Sequence, residues 1–172
     1  NDLIVAVGKL VVRLKGILSE EEGEDGGNGG NKKVIHEGKS SDLIMCLDVK
    51  ICESKSNSAR QIEKWQIMAF GDERGKIQIC FDELGATSGS REQLEVKHKW
   101  QDEIDFAPEA NDVTVWHLKL AESGKYLAAG GSDKKVSCYK LDNISDGDLH
   151  RHHILQFYHV VPGEVYALAF SR

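Results

Sequence analysis

A chain of 172 residues with 40 % hydrophobic composition can bury a core of its own, which excludes a disordered tail. Its 28 acidic residues against 22 basic ones leave a formal net charge of −6. That balance argues against wholesale phosphate binding, because affinity for nucleic acid rests on clustered Lys and Arg.

Taken in chain order, the apolar signal is short and either alternating or continuous, never the 3.6-residue stripe of an amphipathic helix. The first expected strands are 3–7 and 10–14, separated by Gly8-Lys9. Residues 19–33, SEEEGEDGGNGGNKK, are acidic and then Gly/Asn-rich, and read as a mobile loop between strands. Strands follow at 43–51, 66–70 and 77–81, and 82–92 reads as a loop. Residues 101–112, QDEIDFAPEAND, read as a second polar connection containing Pro108. Further strands are expected at 113–120, 126–129, 136–141 and 154–161, with a loop over 142–151. The chain reads as all-β.

No apolar run approaches the roughly 20 residues that span a bilayer. The first residues, Asn1-Asp2-Leu3-Ile4-Val5, show neither a basic segment nor a cleavage pattern, so no signal peptide and no membrane association are expected. Cys46, Cys52, Cys80 and Cys138 form no Cys-x-x-Cys pair and each lies in or beside an apolar run. They are expected to be reduced thiols, which suits an intracellular compartment, nuclear or cytoplasmic.

Self-similarity is the most informative feature. Residues 68–77, MAFGDERGKI, align without a gap on 127–136, LAAGGSDKKV, at an offset of 59. Both run from a small apolar strand through a glycine (Gly71, Gly130) and a polar turn into a β-branched strand start. A shortened third copy begins at Val5-Ala6-Val7-Gly8. A second element recurs at 44–49, 115–120 and 165–170 with the pattern apolar-x-x-Leu-x-apolar. Its unequal offsets of 71 and 50 are what loop insertions in a repeat array produce.

Residues 115–141, VWHLKLAESGKYLAAGGSDKKVSCYKL, resemble one repeat of the WD-repeat family, from its innermost strand through its third strand. The resemblance is strong over 113–171, fair over 42–100 and weak over 1–38. It implies a β-propeller of four-stranded antiparallel blades, with this chain supplying an arc of about three to four. These would be a partial blade at 1–38 carrying the acidic loop 19–33, blades at 42–100 and 113–160, and the start of another at 164–172. Another propeller type or a β-sandwich is the alternative. Asp133 stands at the turn position whose carboxylate, in typical repeats, joins a network with Ser or Thr, His and Trp. Tyr139 occupies the Trp position and His159 the loop His position. The Trp-Asp dipeptide itself is absent: Tyr139-Lys140 and Cys80-Phe81 stand there, and Arg74 replaces the turn Asp, so that network is not expected in the earlier repeat. An open arc exposes apolar faces and strand edges, so further blades are expected from a longer chain or from a partner.

Candidate chemistry is sparse. His150, His152, His153 and His159 cluster, but His152 and His153 point to opposite faces of a strand, and no Cys or acid stands at metal-ligand spacing. His117 reads as a buried, hydrogen-bonded residue of an inner strand. No Gly-x-Ser-x-Gly elbow appears, and Gly130-Gly131-Ser132 reads as a hairpin turn, since no helix follows it to make a phosphate loop. No catalytic residue, cofactor or metal is assigned. Ser19, followed by Glu20-Glu21-Glu22, suits an acidophilic kinase.

The expected function is therefore a non-catalytic scaffold that binds other protein subunits of an intracellular complex through its loops and exposed blade faces. The alternative is a propeller subunit of a transcription, RNA-processing or RNA-modification assembly that touches nucleic acid directly, through Lys32-Lys33, Lys97, Lys99, Lys134-Lys135 and Arg151.

Overall fold

A computed structural model describes residues 3–15, 33–55, 62–86, 94–106, 112–141 and 153–171. Those residues are all-β: eleven strands in three open sheets, with no helix among them. The chain divides into two compact units, 1–44 and 45–172.

In the first unit, β1 (Leu3–Val7), β2 (Leu10–Lys15) and β3 (Lys33–Lys39) form an antiparallel sheet in that order. The two-residue turn that closes β1 on β2 pairs Val7 with Leu10, and Gly8 takes φ +60°, where a side chain strains the backbone. Residues 40–44 strap back onto that turn: the Ser40 N–H donates to Lys9 O at 2.9 Å and the Ile44 N–H to Gly8 O at 2.9 Å.

The second unit holds two four-stranded sheets, each running in chain order. One is β4 (Ile44–Lys55), β5 (Ile62–Asp72), β6 (Lys76–Ala86) and β7 (Leu94–Asp105). The other is β8 (Val115–Leu120), β9 (Tyr126–Gly131), β10 (Lys135–Leu141) and β11 (His153–Val160). The apolar residues that alternate along β5, β6, β8 and β9 meet in one core, among them Ile67, Ile77, Ile79, Leu118 and Leu127. Each of these is at most 1 % exposed, and full burial of such a side chain contributes about 2–3 kcal/mol. β5 is buried on both faces from Trp65 to Phe70, as a central strand covered on two sides must be. β11 is the opposite case, an edge strand exposed from Leu155 to Val160.

Two expected loops begin as strand. Residues 82–86 belong to β6, and 101–105 belong to β7. The second case has a plain cause: Ile104 and Phe106 point inward while Glu103 and Asp105 point to solvent, an alternation that acidic side chains disguised as a loop. Lys76 on the neighbouring strand balances those charges, with Nζ 3.3 Å from Glu103 and 3.4 Å from Asp105. Residues 164–171 of the segment 164–172, expected to open another blade, run without a ladder, because no described strand pairs with them. The remaining loop segments 19–32, 87–92, 107–111 and 142–151 lie outside the described residues, as do Ser19, His150, His152 and Arg151.

Candidate interaction site

The two sheets of the second unit meet at a joint built from glycine. A Cβ on Gly71 would lie 2.7 Å from Val115 Cγ1 and 3.0 Å from Cys46 Sγ, so β5 reaches β8 only because position 71 has no side chain. The same contact recurs one repeat later, where a Cβ on Gly130 would lie 2.4 Å from Val165 Cγ1. Gly71 and Gly130 were aligned on one sequence element, Val115 and Val165 on another. The structure brings each glycine onto its valine.

Around the first joint, Asp48 on β4 clamps β8. Its Oδ2 accepts the Leu120 N–H at 2.8 Å, and its Oδ1 receives Lys119 Nζ at 3.0 Å. The Cys46 thiol donates to Val115 O at 3.3 Å. Around the second, the Val165 N–H donates to Gly131 O at 3.1 Å and the Leu168 N–H to His117 Nδ1 at 3.0 Å. His117 thus accepts a hydrogen bond from the stretch that follows β11.

The aligned hairpin turns also share a backbone shape. Gly75 and Lys134, matched at the offset of 59, both take positive φ, +78° and +59°. The turn carboxylate comes from different places. Asp133 Oδ1 accepts the Lys135 N–H at 3.1 Å; at the equivalent Lys76 N–H the acceptor is Asp72 Oδ1, at 2.9 Å, which also takes the Arg74 N–H at 2.9 Å. Asp72, 1 % exposed, therefore caps the turn in which Arg74 stands at the aspartate position.

Asp133, Tyr139 and His159, the residues implied for the wider network, lie on the β9–β10 turn, on β10 and on β11. Asp133 Oδ2 is buried without a hydrogen-bond partner among the described residues. The Tyr139 hydroxyl bonds to Ser137, and burial pushes its pKa up to about 12. His159 lies within β11, opposite Val136, and is exposed.

Both ends of β8 carry exposed features that the sequence did not announce. At its start, Trp116 and Tyr166 set their ring centroids 5.9 Å apart with planes inclined by 33°. Glu164 Oε2 accepts from Trp116 Nε1 at 3.2 Å and from the Tyr166 hydroxyl at 2.6 Å, and that second bond chiefly raises the tyrosine's pKa. Each aromatic is the second residue of its copy of the repeated element, which is the one signal that could have paired them. At the far end of β8, a pocket of about 700 Å³ is lined by Lys50, Lys119, the turn 121–123 and Phe170. Its lining comes from the end of the 115–120 and 165–170 copies of the repeated element and from Lys50, the residue that follows the 44–49 copy.

No group of three or more His, Cys, Asp or Glu that could hold a metal occurs among the described residues. The four cysteines are free. Burial pushes the Cys46 thiol up to about 12, with Asp72 adding to the shift. Its thiolate fraction at pH 8 is then about a thousandfold below that of an ordinary thiol. The greater nucleophilicity of a more basic thiolate recovers part of that, leaving alkylation about 30-fold slower. Peptide mapping after iodoacetamide treatment at pH 8 should show Cys46 at least that much slower in the native chain than in urea. Equal rates would mean that Cys46 is not packed on Val115.

No protein-family model matches the chain, and no curated protein matches it either.

Proposed function

We propose that the chain is part of a WD-repeat β-propeller and serves as a non-catalytic scaffold that holds other protein subunits in an intracellular complex. One observation carries this reading: the Gly71–Val115 joint between two consecutive four-stranded sheets is repeated by Gly130 and Val165. A joint that recurs in register with the sequence repeat is what a radial array of blades requires, because each blade must meet the next in the same way. The shared pocket at Lys50, Lys119 and Phe170 fits inner strands that converge on a central axis. The exposed face of β11 is the kind of surface on which a subunit or a further blade docks. Four free cysteines fit the reducing environment of nucleus or cytoplasm.

Affinity purification of the full-length native protein, with mass spectrometry and native sizing, tests the reading. A fixed set of co-purifying subunits in constant proportion is the expected result. A stable lone monomer would overturn it.

A further inference from the structure

The aromatic pair beside Glu164 is presented to solvent. Tyr166 is 66 % exposed, and Trp116 is half-buried. With centroids 5.9 Å apart, the rings are too close to sandwich a ligand, which needs roughly 7–8 Å for two van der Waals contacts. Inclined by 33°, they lie against each other, and the largely exposed Tyr166 ring is the face on which a flat group can stack. Glu164 is fixed at the edge of the pair. Its Oε2 spends both lone pairs on the Trp116 N–H and the Tyr166 O–H, so Oε1 is left to face a ligand.

A carboxylate beside two π faces selects a cation. Among cations, a guanidinium matches best, since it is planar, stacks on an aromatic face and offers N–H groups along its edge to an oxygen in reach. A lysine ammonium is compact and strongly hydrated, and has no plane to lay on the rings. A nucleobase would stack as well, but Glu164 and a chain of net charge −6 repel the phosphates that come with it. We infer that Trp116, Tyr166 and Glu164 form a recognition site for an arginine side chain of a partner protein. This deepens the scaffold reading and rests on it only for the partner being a protein.

The test titrates the 172-residue chain with the capped peptide Gly-Arg-Gly and follows the Trp116 indole N–H resonance, assigned through Trp116→Phe. Saturable movement at up to millimolar peptide is expected. Gly-Lys-Gly should bind several-fold more weakly, and Gly-citrulline-Gly, with the same shape and no charge, should not bind. Glu164→Gln should weaken arginine binding about tenfold. Tyr166→Ala, at an exposed position outside any strand, should abolish it while leaving the melting curve unchanged. No movement with arginine, an equal response to citrulline, or an equal response to a single-stranded oligothymidine would each overturn the proposal. Because the titration uses a peptide, it can fail while subunits still co-purify. It can also succeed where they do not.

Discussion

Gly131→Ala is expected to be the most damaging glycine-to-alanine change among the described residues, removing about 3 kcal/mol or more and lowering the melting temperature by on the order of 10 °C. A Cβ at this position would lie 2.1 Å from Thr114 O and 3.2 Å from Phe106 Cε1. The first of these is backbone, and it cannot step aside by changing rotamer. It is pinned from both directions, because the Ser132 N–H donates to Thr114 O at 3.0 Å and Ser132 Oγ accepts the Thr114 N–H at 3.0 Å. Moving Thr114 far enough to admit a methyl breaks both bonds and displaces Val115, which is fully buried. Gly71→Ala meets side chains instead, Val115 and Cys46, and should cost about 2–3 kcal/mol. Val115→Ala alone leaves a cavity, but in combination with Gly71→Ala it makes room, so the double variant should be more stable than the sum of the two losses. Gly8→Ala is the control. Its Cβ meets nothing within 4 Å, and only the φ of +60° opposes it, at about 1 kcal/mol. Thermal unfolding followed by far-UV circular dichroism ranks the three. A Gly131→Ala chain that melts no earlier than Gly8→Ala would show that Gly131 does not pack on the Thr114 carbonyl.

The two glycines at the joint were legible in the sequence because a close approach of backbone to side chain admits no substitute, so each copy of the repeat had to retain the same residue. The Gly75 and Lys134 turns were legible as turns, yet their chemistry was not. Column-by-column alignment set Arg74 against Asp133 and missed Asp72, since two carboxylates on different backbone positions reach the same amide. Periodicity located nine of the strands to within a few residues, and failed where a strand is short of apolar residues. Acidic side chains on the open face of β7 imitate a loop, and β3, KVIHEGK, has a single apolar pair. The Trp116–Tyr166 pair was invisible for another reason. Fifty residues separate its members, and only the meeting of the two repeat copies in space makes them neighbours.

Asp48 provides the second large effect. Asp48→Ala should cost about 3 kcal/mol, because it removes a charge-assisted hydrogen bond and leaves the Leu120 N–H without its acceptor, in a residue that is 1 % exposed. Asp48→Asn keeps an oxygen for that N–H and gives up the charge, so it should cost about 1 kcal/mol. Lys119→Met removes only the ion pair. Its side chain is 36 % exposed against 14 % for Asp48, and solvent screening holds the contribution of such a pair to about 0–1 kcal/mol. Urea unfolding of the three variants and of Asp48→Ala/Lys119→Met separates the two bonds. If Asp48 acts chiefly on the Leu120 backbone, the double variant should unfold close to Asp48→Ala, with a small coupling between the side chains. Were Asp48→Ala to cost no more than Lys119→Met, the carboxylate would be a surface charge and the hold of β4 on β8 would rest on the Cys46 contact with Val115. The graded series also isolates the joint from the rest of the core, since none of these substitutions alters a residue of the apolar cluster.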